Sequence, residues 1–391
     1  MGSHGYPGID PKASCFFYFI ARAKIQPMIL KPGYMMRVGY LGLLVSNGVC
    51  GSISGGSDYQ GTALHLTEYF QGKKRLALKA QTIRAYQSDS EVQLDSVKGF
   101  IWDPLNVSYW ISGDFGKFLP VKKQLTLTQN GQLRDSDQFL IIGPHIFLDV
   151  GAQIAHFPSG VILASQKNNP SDKTDLTVSA NQATIQLDTR VGQFLGNVDT
   201  QLHSDFSCSV ASESATINSK EEKILFEGDA KIQSDSFGGI SEKLIVGFKR
   251  KSPDDFNLHH LRFQNRADVS IKSGVIAQPK SLNAQNLSSA EEKPETRLIA
   301  KQVDIYLDAG HGVTRVFGEG DVEFLFHGGR VIAHKMEYDA TSQNIVFYGL
   351  PVKVYQPDFE LMGKKIMYFG SNQQWVAYET HGFTSETPRK P

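Results

Sequence analysis

The stretch "VFYGLPVKVYQ" (residues 346–356) decides how this chain is read. An aromatic residue, one spacer and a glycine stand before a strand that opens with proline. The same Phe-x-Gly returns as "FLG" at 194–196 and "FEG" at 226–228, followed by the strands "NVDTQL" and "DAKIQ". Glycine takes a bend that a β-branched residue takes only with strain, and the Phe is placed to plug an interior. A second motif alternates with the first: a small residue, an apolar residue three on, another two after that. It reads Ala80/Ile83/Ala85, Ala180/Ala183/Ile185, Ser212/Ala215/Ile217 and Ser241/Leu244/Val246, then Ala300/Val303/Ile305, Ala333/Met336/Tyr338 and Gly363/Ile366/Tyr368. A step of three inside a period-two strand implies an extra residue, so a β-bulge is expected on that strand.

Working outward, the copies recur about every 31 residues. Each unit is two antiparallel strands and a turn, such as "DATSQN" at 339–344. A lone hairpin is not stable in water. Stacked hairpins bury one another's apolar faces and build a quasi-one-dimensional β structure. No helical periodicity persists beyond two turns, so the chain is expected to be all-β and elongated. The polar stretch "QPKSLNAQNLSSAEEKPE" (278–295) interrupts the pattern and reads as a loop.

Charge is balanced, with 40 basic and 40 acidic residues. No basic stripe interleaved with aromatics is read in the sequence, which argues against nucleic acid as a partner. Three cysteines, Cys15, Cys50 and Cys208, are too few and too scattered for a disulfide framework; Cys208 reads as a small core residue. Residues 1–56 read as targeting sequence outside the fold. "MMRVGYLGLLVSNGVCGSISGG" (35–56) has one Arg, a short apolar run and small residues, so translation starting at Met35 or Met36 gives a secretory signal. Cys50 offers a lipidation site, although "SNGVC" fits acylation poorly, and a membrane anchor is the other reading.

Two segments resemble a known family. Thr67, Phe70, Gly72, Leu78, Ala80 and Tyr86, within 61–104, resemble the opening of the lipopolysaccharide-transport protein LptC. Residues 297–381, through "YGLPVKVYQ" and "GKKIMYFGSNQQWVAYETHG", resemble the LptA/OstA-like β-jellyroll. The resemblance implies an open, elongated β-jellyroll of stacked antiparallel hairpins in two modules, an LptC-like one at 57–235 and an LptA/OstA-like one at 236–391. It also implies a periplasmic carrier, tethered or not to the inner membrane, that moves lipopolysaccharide from an inner-membrane ABC transporter towards the outer membrane. The departure is that one chain merges two links of the family's bridge.

The inward positions of the repeat are then the expected lining of a lipid groove: Ile83, Ile185, Phe194, Ile217, Phe226, Ile305, Phe324, Met336, Phe347, Val354 and Ile366. Each methylene buried there contributes about 0.8 kcal/mol. Unpaired strand edges at the two ends suit strand addition. Thr67 and Phe70 mark one edge and Gln374, Val376 and Tyr378 the other, for LptA-like or LptD-like jellyrolls or for head-to-tail self-association. No cofactor is expected. His327 with His334, and His259 with His260, lack the further ligands a metal needs, and no nucleophile elbow or carboxylate pair points to an enzyme. The competing reading is a self-associating β-solenoid scaffold or adhesin with a closed core.

Overall fold

The computed structural model describes residues 59–380 apart from 71–72, 87–90, 105–106, 136–138, 166–175, 204–206, 253–254, 273–274, 277–295, 311 and 358. The segment expected to be targeting sequence, with Cys50, and the stretch 278–295 expected to be a loop therefore lie outside the described residues.

Among the described residues twenty-one strands, from β1 (Tyr59–Phe70) to β21 (Gln374–Tyr378), form one antiparallel sheet, and there is no helix. Neighbours in sequence pair in space: β2 (Lys73–Tyr86) lies between β1 and β3 (Glu91–Trp102), and β20 (Phe359–Phe369) between β19 (Asn344–Gln356) and β21. Pairing continues through 235–236, where β13 (Lys223–Ser234) meets β14 (Phe237–Ser252), and from β15 (Asp255–Ile271) to β16 (Thr296–Leu307). At about 4.8 Å per strand, a stack on this scale is on the order of 80–90 Å long.

The sheet is folded lengthwise, because its strands bend midway. In β13, Glu227 pairs with Lys243 and Ala230 with Ser241, so Gly228 and Asp229 together oppose the single Glu242. Both have positive φ, 83° and 46°. The same left-handed pair recurs as Gln129–Asn130 in β5 (Gln124–Arg134) and Gly196–Asn197 in β11 (Val191–His203). It returns as Asn265–Arg266 in β15 and Gly320–Asp321 in β17 (Val313–Phe326). In β19 the bend is Gly349–Leu350–Pro351, with a cis Leu350–Pro351 peptide. The inserted residue thus sits on the Phe-x-Gly strand and not on the strand with the step of three, where the sequence reading puts it. The step of three is the complement. That strand has one residue where its neighbour has two, so the parity of its inward face changes at the corner.

Mid-chain, the bent strands are cut in two. β7 (Ile154–Phe157) and β8 (Val161–Ser165) both pair with β6 (Phe139–Asp149), and β9 (Leu176–Ala180) and β10 (Gln182–Gln186) both pair with β11. The Gly160 N–H donates to the Asn181 carbonyl at 2.7 Å, and the Asn181 N–H to the Gly196 carbonyl at 2.9 Å, which carries the corner across the break.

The aligned corners make a spine joining two walls. Wall A includes 115–119 of β4 (Ser108–Leu119), 124–128 of β5, 214–218 of β12 (Ser207–Asn218) and 223–227 of β13. Wall B includes 108–112, 131–134, 208–211 and 230–233 of the same strands. Their inner faces are apolar and buried, with Phe194, Phe226 and Phe263 two residues before their corners. Phe324 of wall B and Phe347 of wall A meet between the walls, ring centroids 5.6 Å apart. Cys208 is in this core, and burial pushes its thiol up to about 12.

The turns along the rim of wall A form a ladder. Lys123, Gln153, Arg190, Glu222 and Gln343 all take positive φ at the last position of their turns. The carbonyl of each accepts an N–H from farther along the rim: Val150, Leu187, Ser219 and Gly370, which start the next turns, and Phe248, at a bulge in β14, at 2.9–3.5 Å.

Candidate functional site

The walls are joined by backbone at the spine. On the opposite side their rims face each other across a seam. At mid-length a cavity of about 50 Å³ lies in this seam, between Leu133, Phe139, Ile141 and Leu163 of wall B and Ile185 and Ile217 of wall A. Tyr109, Asp135, Arg190 and Ser219 add polar groups at its mouth. The Tyr109 hydroxyl, on wall B, donates to the Leu187 carbonyl on the rim of wall A at 2.6 Å. Burial pushes that phenol well above its ordinary range, and the nearby Arg190 guanidinium opposes the shift. Farther along, Tyr338 of β18 (Gly329–Asp339) reaches the Val275 carbonyl, past the end of β15, at 3.3 Å. Two tyrosine hydroxyls thus cross the seam.

Of the eleven expected lining residues, Ile185 and Ile217 reach this cavity. The other nine, Ile83, Phe194, Phe226, Ile305, Phe324, Met336, Phe347, Val354 and Ile366, are packed in the core. None of the eleven is more than 8% exposed. Their side chains fill the space between the walls. The cavity has room for only a few water-sized molecules, so an acyl chain needs the rims to part or the side chains to move.

At the C-terminal end a residue missed from sequence closes the interior. Gln374, Val376 and Tyr378 alternate along β21 with Trp375, and Trp375 turns inward. Its ring lies 5.0 Å from Tyr368, 5.9 Å from Phe326 and 6.2 Å from Phe347. Among the described residues β21 pairs with β20 alone and β1 with β2 alone, so one edge of each terminal strand is unpaired. Thr67 lies in β1, and Phe70 ends it, paired with Lys73.

Glu68 of β1 is buried beside Leu66, and neither carboxyl oxygen has a hydrogen-bond partner. Burial raises its pKa; Lys123, on the opposite rim, works against that. A carboxyl raised in the folded state destabilises it once ionised. Glu68→Leu is therefore expected to stabilise the protein at pH 7 by about 1–3 kcal/mol. The gain should shrink as pH falls through the carboxylate range; urea titrations at pH 7 and at an acid pH within that range check this, and a pH-independent difference contradicts it.

His259 and His260 part company. On the outer face of wall A, His260 Nε2 lies 2.7 Å from Asp304 Oδ1, which also accepts from Arg262 Nε at 2.6 Å, while Gln302 Nε2 donates to Oδ2 at 2.7 Å. The His260 ring stacks on Tyr306 with centroids 4.5 Å apart. Burial would raise the Asp304 carboxyl, but the hydrogen bonds from His260, Arg262 and Gln302 outweigh it and hold the group below the ordinary carboxylate range. Asp304→Ala is expected to cost about 1.5–3 kcal/mol at neutral pH. Because the folded value is depressed, the contribution is complete above the ordinary range and lost as pH falls through the folded value. The gap between variant and parent in denaturant titrations should therefore close in acid, below about pH 4.

No family model matches the chain, and no curated protein matches it. Among solved structures it is similar to LptH, the LptA-homologous periplasmic component of the lipopolysaccharide transport device of Pseudomonas aeruginosa. The identity is 14%, over 46% of this chain and 89% of that one, with a TM-score of 0.20. A likeness of that size carries no weight for function, which rests on the walls, the seam and the ends.

Proposed function

We propose that this chain is a lipid carrier that takes acyl chains between its two walls through the seam. As a periplasmic bridge it passes lipopolysaccharide from an inner-membrane ABC transporter towards the outer membrane. The supporting observation is the mid-length cavity, where apolar residues of both walls lie beneath a rim of polar groups, on the side opposite the spine. Apolar contact is non-directional, so an acyl chain can slide along such an interior without a deep minimum. A chain of about a dozen carbons contributes roughly 10 kcal/mol before the entropy of ordering it is subtracted. The sugar head stays outside the seam. The free edges of β1 and β21 serve docking to jellyroll partners by strand addition.

The filled interior favours a second reading, a self-associating scaffold with a closed core. Photocrosslinker at Ile217 and, as outward control, at Thr216 separates the two in cells. The carrier reading expects lipopolysaccharide captured at Ile217 and not at Thr216. Capture of protein alone at both positions favours the scaffold and sinks the carrier.

A further inference from the structure

The chain is electrically neutral overall, yet one outer face is not. On wall B the outward positions of β2, β3, β4, β5, β6 and β8 form two cross-strand rows. One runs Ala77, Phe100, Trp110, Arg134, Leu140, Ala164; the other runs Lys79, Lys98, Ser112, Gln132, Ile142, Ile162. Beyond the first row Trp102 carries Lys74 over its ring at 4.8 Å, and Arg75 donates to the Trp102 carbonyl at 3.3 Å. Phe100, Ile142 and Ile162 are 45%, 37% and 48% exposed. These wall-B segments (73–79, 97–102, 108–112, 131–134, 139–143 and 161–165) contain no Asp or Glu. Lys79 and Lys98 stand directly opposite each other, an arrangement that is unfavourable on its own.

We propose that this face docks on the surface of an anionic lipid bilayer. The chemistry of the face selects that occupant. Tryptophans settle at the level of the headgroups, cations beside them are drawn to anionic lipid, and an opposing sheet of negative charge relieves the Lys79–Lys98 repulsion. A duplex or single strand of nucleic acid, or a second copy of the chain, are the competing occupants. The inference is independent of what the seam carries, because every residue in it points away from the interior.

The test is flotation of the full chain with vesicles of phosphatidylcholine alone, or of equal parts phosphatidylcholine and phosphatidylglycerol. The expected result is binding to the anionic vesicles, little to the neutral ones, and release by high salt. Lys79→Gln with Lys98→Gln should weaken binding about 25-fold, taking about five-fold per cation. Its melting temperature should be unchanged or raised, since a like-charged pair is gone. Trp110→Ser should weaken binding to the same vesicles without changing its salt dependence. Equal binding to both vesicles, or a lysine double variant that floats like the parent, overturns the proposal. So does tighter binding to DNA than to vesicles, or a dimer that the double variant dissolves.

Discussion

Phe347→Ala is expected to lower the stability of the C-terminal rungs by about 3–5 kcal/mol, the cost of emptying a buried phenylalanine site. Phe347 is fully buried and touches Phe324 across the interior and Trp375 beyond it. No neighbour can fill its place without leaving another gap. The effect should be local. Strands contact their sequence neighbours, so the stability of a distant rung does not depend on this one. Hydrogen exchange read by mass spectrometry should speed up in β17–β21 and leave β2–β5 as they were. A uniform acceleration along the whole molecule would show that the stack melts as one unit and would count against this description.

Gly99→Val should be nearly as damaging for the opposite reason. A Cβ at Gly99 would lie 2.2 Å from the Ala77 carbonyl oxygen and 2.8 Å from Leu78 Cδ2. The first obstacle is backbone on the paired strand, so a rotamer change cannot relieve it; β2 and β3 have to separate. The expected loss is at or above the upper end of the roughly 1–3 kcal/mol usual for an overfilled core. Gly238→Val is the matched control, because the nearest atoms to its added Cβ, Ser270 Oγ and the Ile232 carbonyl oxygen, lie at ordinary contact distances of 3.5 and 3.6 Å. Equal denaturation midpoints for the two variants would remove the argument.

How much of this was legible follows from chemistry. The Phe-x-Gly corners at Gly196 and Gly228 stand out because glycine is the usual residue for a positive φ. The equivalent corners at Gln129–Asn130 and Asn265–Arg266 use ordinary side chains and are invisible to the same search. The turn at 339–344 was legible from its Asp, Ser and Asn, but the left-handed positions of the rim turns were not, since they are Lys123, Gln153, Arg190, Glu222 and Gln343. Inward positions were legible as a periodicity, which is why all eleven candidates are buried. Periodicity reports which side of a strand faces in, and says nothing of whether the opposite wall is near enough to fill the gap. Hence only Ile185 and Ile217 reach the cavity, and Tyr109 and Arg190, from distant rungs, were not foreseen. The cationic face of wall B escaped for a related reason. Its lysines and arginines are contributed by separate strands and become neighbours only when the sheet assembles.

The ladder of turns on the rim of wall A bears on how the molecule yields to force. A chain with its ends at opposite extremities of a stack, pulled at those ends, is loaded along its hydrogen bonds and not across them. Rungs then peel one after another at low tension, as teeth leave a zip. Each rim bond, such as Ser219 N–H to the Arg190 carbonyl, adds a catch between one tooth and the next. A strut built this way between two anchored ends lengthens stepwise under strain and does not snap.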